Sequence, residues 1–145
     1  MIIKKTYTGS YGVILDENKV ALIKKSRGGY KGLLDLPGGG IEYKETPINT
    51  LKREIIEEIG GTIQNCSLLD VVSANIKWNM DDNKIEDLHH IGILYKVSIN
   101  EKELKKESDG LDSEGASWYL IGDLKKEQLT PFAIYSLEKI GYKIS

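Results

Sequence analysis

The segment from Thr46 to Gly61 carries signals for both the start and the end of one helix. Thr46 supplies a hydroxyl at the N-cap, and Pro47 suits the first helical position, where its missing N–H costs nothing. Gly60-Gly61 is a stop signal, because glycine adopts the left-handed conformation that ends helices. The pattern predicts a helix from Pro47 to about Ile59. Its expected buried stripe comprises Ile48, Leu51, Ile55 and Ile59.

Three glutamates, Glu54, Glu57 and Glu58, stand at i, i+3 and i+4 in this helix, so their carboxylates are expected to cluster beside the stripe. Like charges at these spacings repel, and the last turn of a helix favours cations. A hard divalent cation would reverse both effects, because Mg²⁺ takes carboxylate oxygens and keeps waters and phosphates as its other ligands. The spacing is equally compatible with a solvated acidic face, relieved by Arg53 reaching Glu57.

The run from Gly38 to Gly61 reads GGGIEYKETPINTLKREIIEEIGG. It closely resembles the signature of the Nudix hydrolases, G-x5-E-x7-R-E-U-x-E-E-x-G-U, where U is a bulky aliphatic residue. The positions in register are Gly39, Glu45, Arg53, Glu54, Ile55, Glu57, Glu58 and Gly60. Gly61 departs from the signature, since a bulky aliphatic residue is usual there. We expect this change to alter the exit of the helix slightly and to leave the chemistry intact.

The resemblance implies an α+β domain over residues 1–145, an α/β/α sandwich in which the signature forms a loop–helix–loop over a mixed sheet. It also implies a hydrolase that depends on Mg²⁺ or Mn²⁺. Its expected reaction is attack of water on phosphorus in a pyrophosphate bond, within a nucleoside diphosphate linked to another group.

The resemblance also assigns roles to individual residues. The metal ligands that it implies are Glu57, Glu58, Glu54 and the main-chain carbonyl of Gly38. Arg53 is expected to orient the glutamates. The structural positions of the signature are Gly39, Glu45, which supports the loop, and Gly60.

Cleavage of a pyrophosphate bond needs a nucleophilic water and cationic stabilisation of the phosphate oxygens. Glu54 is a candidate general base, and Arg53 and Glu57 complete the expected catalytic group. Some members of the family use an acidic residue outside the signature. The candidates here are Glu86, Asp87 and Glu103, although each is also typical of a solvated loop charge.

Charge is unevenly distributed along the chain. The net charge is −2, which argues against a partner such as duplex DNA or an anionic membrane. Residues 1–32 nevertheless hold seven basic and two acidic side chains, so the remainder is acidic. A basic segment beside an acidic one suits a phosphate substrate with a bound cation, although surface composition alone also produces this pattern.

Three further residues are candidates for binding a nucleotide substrate. Lys25 and Arg27 precede Gly28-Gly29 and are able to bind phosphates, Arg27 bidentately, although both also suit an ordinary surface. Trp78 is a candidate for stacking on a base, or for covering a sheet edge instead.

The rest of the chain is predominantly β-prone, with one more helix. The expected elements are hairpins of Tyr11–Leu15 with Val20–Lys25 and of Leu68–Trp78 with His89–Ile99, a loop over 99–116, a strand over Ser117–Leu120 and a helix over Pro131–Ile140. A single cysteine, Cys66, excludes an internal disulfide. With no apolar stretch long enough for a signal peptide or a membrane span, we expect a cytoplasmic protein.

The substrate class follows only weakly from the sequence. The small size looks most like the mutator-type nucleoside triphosphate pyrophosphatases. ADP-ribose pyrophosphatases commonly carry a proline downstream of the signature, and this chain has none between Pro47 and Pro131. An ADP-ribose or sugar-nucleotide pyrophosphatase, and a nucleotide-binding or sensing module without turnover, remain alternatives. The sequence leaves dimerisation open.

Overall fold

The computed structural model describes residues 1–107 and 113–145. The strands in these ranges are β1 (Ile2–Asp16), β2 (Lys19–Lys25), β3 (Leu34–Asp35), β4 (Gly38–Gly40), β5 (Ile63–Asn79), β6 (Ile85–Ile99) and β7 (Ser113–Leu120). The helices are α1 (Pro47–Ile59) and α2 (Pro131–Ile140). Two 3₁₀ turns, Ile121–Asp123 and Lys126–Gln128, connect β7 to α2.

The long strand β1 organises a mixed sheet. It pairs in parallel with β6 from Ile2 to Ile14 and in antiparallel with the short strand β4. β5 extends the sheet as the antiparallel neighbour of β6. The end of β1 turns into a hairpin with β2, which also pairs with β3 and β7. The expected α+β class with a mixed sheet is confirmed.

The two helices pack on opposite faces of this sheet. Neighbouring strand residues such as Val13 and Ile14, which point to opposite faces, belong to different apolar cores. From α1, the core contains Leu51, Ile55 and Ile59. From α2, the other core contains Phe132, Ala133 and Leu137. The predicted α/β/α sandwich is therefore confirmed.

Both helices begin and end where the capping residues predict. The Thr46 hydroxyl accepts a hydrogen bond from the N–H of Asn49 at 3.1 Å, and Thr130 accepts one from Ala133 at 3.4 Å. Gly60 ends α1 in the left-handed region, with φ of 78°. Among the described residues, no helix is long and apolar enough to cross a membrane.

The strands are longer than the sequence predicts. Both expected hairpins form, but β1 begins at Ile2 instead of Tyr11. The prediction of a loop over 99–116 is wrong at its C-terminal end, because residues 113–116 belong to β7 and pair with β2. Positions 108–112 of that expected loop lie outside the described residues.

Candidate active site

The buried face of α1 differs from the predicted stripe by three residues. Ile48 is 39% exposed, whereas Thr50 is fully buried and Glu58 is only 2% exposed. The helical geometry explains the burial of Glu58, because seven residues return a helix to within about 20° of its starting direction. Glu58 therefore lies beneath Leu51 in the apolar stripe, and the expectation that it occupies a neighbouring face is wrong.

The three glutamates of α1 spread from the core to the solvent. Glu58 is buried, the side chain of Glu54 is 14% exposed and that of Glu57 is 48% exposed. In residues 1–107 and 113–145, no three carboxylate, imidazole or thiolate groups converge on one point. The three carboxylates thus lie at different depths, and they do not form a complete set of metal ligands by themselves.

The guanidinium of Arg53 contacts the carboxylates of Glu45, Glu54 and Glu57. The guanidinium donates two hydrogen bonds to Glu45, at 2.8 and 2.9 Å, and one to Glu54 at 2.9 Å. It also lies 3.5 Å from a carboxylate oxygen of Glu57. These hydrogen bonds, that to Glu45 above all, raise the pKa of Arg53. Relief of Glu57 by Arg53 is therefore present, but Glu45 and Glu54 are its nearer partners.

Glu45 ties the loop before α1 to the helix. Besides the two bonds from Arg53, its carboxylate accepts hydrogen bonds from the backbone N–H of Glu42 at 3.0 Å and from the Thr50 hydroxyl at 2.9 Å. The bonds from Arg53 and Glu42 lower the pKa of Glu45 to about 2. Glu45 is consequently ionised throughout the physiological range, and it holds both the loop and Arg53 in place.

The glycines of β4 lie against the carboxylates of α1. The N–H of Gly38 donates to Glu58 Oε1 at 2.7 Å. A Cβ atom at Gly39 would lie 2.5 Å from Glu54 Oε1, and one at Gly38 would lie 2.2 Å from the carbonyl oxygen of Ser10. A side chain at Gly39 would fill the space between the strand and the helix, whereas one at Gly38 would collide with the backbone of β1.

This arrangement fits a hard divalent cation. Glu54 and Glu58 bring carboxylate oxygens to Gly38 and Gly39 of β4, and the missing Cβ atom of Gly39 keeps the space beside Glu54 open. Mg²⁺ binds through one or two carboxylates and completes its shell with waters and substrate phosphates. A ligand set that is incomplete without a substrate therefore suits this ion.

The same two glycines line a cavity of about 240 Å³ on the sheet. All three residues proposed to bind substrate, Lys25, Arg27 and Trp78, also line it. The remaining lining side chains are Lys5, Tyr7, Tyr11, Tyr30, Asp35, Glu86, Leu88 and His90. The cavity thus combines basic and aromatic side chains with the two glycines of β4.

The three acidic residues considered outside the signature separate in the structure. Glu86 and Asp87 belong to β6 and not to a loop, so they point to opposite faces of the sheet. Glu86 is 9% exposed and lines the cavity, whereas Asp87 does not line it. Glu103 is exposed in the segment after β6, beside a different depression.

The sequence did not predict several aromatic residues that line the cavity. Tyr7 pairs with His90 across β1 and β6, and the ring of Tyr11 lies 5.5 Å from that of His90. Lys5, Tyr7 and Tyr11 alternate along β1, so a prediction of strand from Ile2 would have placed them on one face.

The pair formed by Tyr11 and His90 is neutral. The Tyr11 hydroxyl and His90 Nε2 are 2.6 Å apart. Burial lowers the pKa of His90 to about 4, with a smaller contribution from Lys25. Burial, followed by the charge of Asp35, raises the pKa of Tyr11. The pair therefore adds no charge to the cavity wall, although the carboxylate of Asp35 lies close enough to act on Tyr11.

Comparison with known proteins agrees with this geometry. A model of the NUDIX domain matches residues 6–140. The chain is 34% identical over 103 residues to an ADP-ribose pyrophosphatase of Methanocaldococcus jannaschii, a match covering 71% of this chain and 57% of that protein. It is 40% identical over 77 residues to an 8-oxo-dGTP diphosphatase of Proteus vulgaris, covering 50% of this chain and 67% of that protein.

A solved structure extends the similarity to nearly the whole chain. A MutT NUDIX hydrolase from Burkholderia pseudomallei superposes with a TM-score of 0.74 at 26% identity, covering 94% of this chain and 98% of the other. In contrast, the chain spans little more than half of the archaeal relative that it matches.

Proposed function

Because this chain belongs to the Nudix family, we propose that it hydrolyses a pyrophosphate bond in a nucleotide derivative. The proposal rests on one observation. Gly38 and Gly39 of β4 contact the carboxylates of Glu58 and Glu54 and also line a cavity with cationic and aromatic walls. A phosphate chain placed in this cavity would pass beside the carboxylates.

Mg²⁺ or Mn²⁺ is the cofactor in this proposal. Glu54, Glu57, Glu58 and the carbonyl of Gly38 would hold it. When bound, such an ion makes a water more acidic and stabilises charge on the phosphate oxygens.

The protein's own groups then position the reactants. Glu54 accepts the proton of the water that attacks phosphorus, while its hydrogen bond from Arg53 at 2.9 Å keeps the carboxylate in place. Arg53 is in turn fixed by both oxygens of Glu45. The bond between phosphorus and the bridging oxygen breaks, and the leaving monophosphate or pyrophosphate group departs with that oxygen and the electron pair of the bond.

Lys25 and Arg27 bind the phosphates away from the carboxylates. Arg27 is exposed at the cavity, and its guanidinium has no hydrogen bond or ion pair to the residues that the structure describes. A planar guanidinium of this kind suits bidentate binding of phosphate oxygens. Trp78, in the cavity wall, contributes an aromatic surface for the base.

For the substrate class, we propose a nucleoside triphosphate that is cleaved to a monophosphate and pyrophosphate. The relative from Proteus vulgaris, named for a nucleoside triphosphate, supports this class. The archaeal relative, named for ADP-ribose, makes ADP-ribose the second candidate, although the proline common in such enzymes is missing between Pro47 and Pro131. A cytoplasmic location and dimerisation remain predictions.

A binding module without turnover is the alternative from another class. Retention of Glu54, Glu57 and Glu58 favours the enzyme, because binding alone does not require repelling carboxylates along one helix.

The test is to incubate the protein with a panel of nucleotides and Mg²⁺ and to quantify phosphate products. We expect hydrolysis of at least one nucleoside triphosphate or ADP-ribose. Glu57→Gln should lower the rate at least tenfold by weakening the metal site. Glu138→Gln on α2 is the matched control and should leave the rate unchanged. A protein inert across the whole panel would favour the binding module.

A further inference from the structure

A buried carboxylate lies in the cavity far from the glutamates of α1. Glu86 pairs with Ile3 of β1, whereas β4 pairs with β1 from Gly9 onwards. Six residues separate these positions, which is about 20 Å along a strand. Glu86 therefore belongs to the end of the cavity away from the carboxylates of α1, where the part of a nucleotide beyond the reacting phosphate would lie.

The hydrogen bonding of Glu86 is incomplete for a buried acid. The residue is 9% exposed, and its Oε1 accepts a hydrogen bond from Trp78 Nε1 at 2.9 Å. Within the described ranges, this is the one hydrogen bond of its carboxylate, which forms no ion pair there. An ionised carboxylate offers about four acceptor positions. The Oε2 atom of Glu86 accepts no hydrogen bond from the described residues and is accessible from the cavity, where a ligand can donate to it.

The walls of the cavity indicate what kind of donor is missing. Lys5, Lys25 and Arg27 line the same cavity and would repel a cationic ligand. Tyr7 and the uncharged His90 provide aromatic surface in the same cavity, four residues along β1 and β6 from the pair of Ile3 and Glu86. A planar, neutral ring that carries N–H groups on its edge satisfies both conditions, and a nucleobase attached to phosphates is such a ligand.

We propose that Glu86 recognises a nucleobase with two adjacent N–H donors, as on the edge of guanine. Two parallel N–H bonds match the two oxygens of a carboxylate. Hypoxanthine offers only one of these donors, and adenine places an acceptor beside its amino group. This inference rests on the proposed nucleotide substrate and names the base that the same cavity prefers.

Trp78 is the positioning residue for this carboxylate. It faces Glu86 across β5 and β6, and its indole N–H holds Oε1. The loop after β2 closes over the indole only because residue 29 is glycine, since a Cβ there would lie 2.9 Å from Trp78 Cδ1. The carboxylate is thereby fixed before a base arrives, which lowers the entropic cost of binding.

The test is calorimetric binding of GMP, IMP and AMP without a metal ion, so that no turnover is needed. The wild-type protein should bind GMP about tenfold or more tightly than IMP and AMP, as expected for one bidentate contact to a base. Glu86→Gln replaces an acceptor by a donor and should abolish most of this preference. Asp87→Asn, on the opposite face of β6, is the matched control and should keep it.

A second variant separates recognition from folding. Trp78→Phe keeps an aromatic ring but removes the N–H that holds Glu86. It should reduce the preference for GMP over IMP while leaving the affinity for IMP nearly unchanged. A purely structural role of Trp78 would instead weaken all three ligands equally.

The outcomes distinguish this inference from the proposed function. Base-selective binding without hydrolysis of any nucleotide would refute the enzyme and support the role of Glu86. Hydrolysis with equal affinity for GMP, IMP and AMP would overturn the role of Glu86 alone. A loss of kcat in Glu86→Gln that is the same for every base would identify a general base and likewise overturn the proposal.

Discussion

The two helices begin and end with the same residues but treat charge in opposite ways. α2 follows the local rules: Lys139 lies in its last turn, and its buried residues are uncharged. α1 breaks them, because its last turn contains Glu57 and Glu58, and Glu58 is buried. The cation that α1 lacks comes from elsewhere, since Lys105 donates to the carbonyl of Glu57 at 3.0 Å.

The residues around each helix continue this difference. On the side of α2, His90 packs 4.5 Å from the ring of Phe132, and burial lowers its pKa to about 4. On the side of α1, hydrogen bonds lower the pKa of Glu45 to about 2 and keep it ionised. The buried carboxylate beside α2 comes from the sheet, where Asp35 accepts a hydrogen bond from the Thr130 hydroxyl at 2.6 Å, whereas α1 itself contributes the buried carboxylate of Glu58.

The largest expected effect is the pH dependence that His90 confers on the free energy of unfolding. Its pKa is about 4 in the folded protein and about 6.5 when unfolded, so the unfolded state takes up the proton first as the pH falls. Stability is complete above pH 6.5 and is lost between pH 6.5 and 4, by up to about 3 kcal/mol. Denaturant unfolding at a series of pH values measures this loss.

Two variants sharpen that measurement. His90→Gln should remove the loss between pH 6.5 and 4, whereas His89→Gln, at the exposed neighbouring position, should retain it. The pKa of Glu45 is also lowered, so its contribution is present above about pH 4.5 and disappears only as the pH falls towards 2. An unchanged profile in His90→Gln would contradict the assigned burial of a neutral imidazole.

The next largest effect is on catalysis. Glu57→Gln should lower kcat/KM by about 10- to 100-fold, because it weakens the metal site. Its midpoint of thermal unfolding should change little, since the side chain is 48% exposed. Glu138→Gln on α2 should alter neither quantity. Equal activity of wild type and Glu57→Gln would show that the acidic end of α1 has another role.

Arg53→Lys tests whether the carboxylates near α1 are fixed by the directional hydrogen bonds of the guanidinium. Lysine cannot reproduce the two hydrogen bonds to Glu45, so we expect a loss of about 1–2 kcal/mol in the free energy of unfolding. Lys139→Met on α2 removes an exposed ion pair to Asp70 and should cost less than about 0.5 kcal/mol. Similar losses in both variants would contradict the difference between the helices.

The smallest effects concern the exit of α1. Gly60→Ala should cost about 1 kcal/mol, because the φ of 78° is unfavourable for alanine. Gly61→Ala should change stability by about 0.5 kcal/mol or less, since its Cβ would meet only the ends of side chains, Glu101 Oε2 at 3.0 Å and Ile99 Cδ1 at 3.3 Å. Chemical denaturation of both variants checks this, and equal losses would contradict it.

Local signals predicted the helices well. Thr-Pro at the start and glycine at the end fixed the bounds of α1 and α2, because capping depends on a few neighbouring residues. Long-range pairing was harder to predict. The first half of β1 lacks a continuous apolar run, and its partner β6 lies some 83 residues further along the chain, from Ile2 to Ile85.

The candidate site was predictable in its signature and less so in its cavity. The signature located Arg53 and the glutamates. The burial of Glu58 follows from its position seven residues after Leu51, because that spacing places both residues on the same face of the helix. Tyr11 and His90 come into contact because β1 and β6 pair in parallel, and no local sequence pattern predicts this pairing. Their role therefore became visible only in the folded chain.

The central claim is that a divalent ion completes the acidic end of α1. Electron paramagnetic resonance of Mn²⁺, titrated with the protein and a non-hydrolysable nucleoside triphosphate, tests it directly. We predict saturable binding to the wild type, at least tenfold weaker binding to Glu57→Gln, and unaltered binding to Glu138→Gln. Free Mn²⁺ throughout the titration of the wild-type protein would contradict the claim.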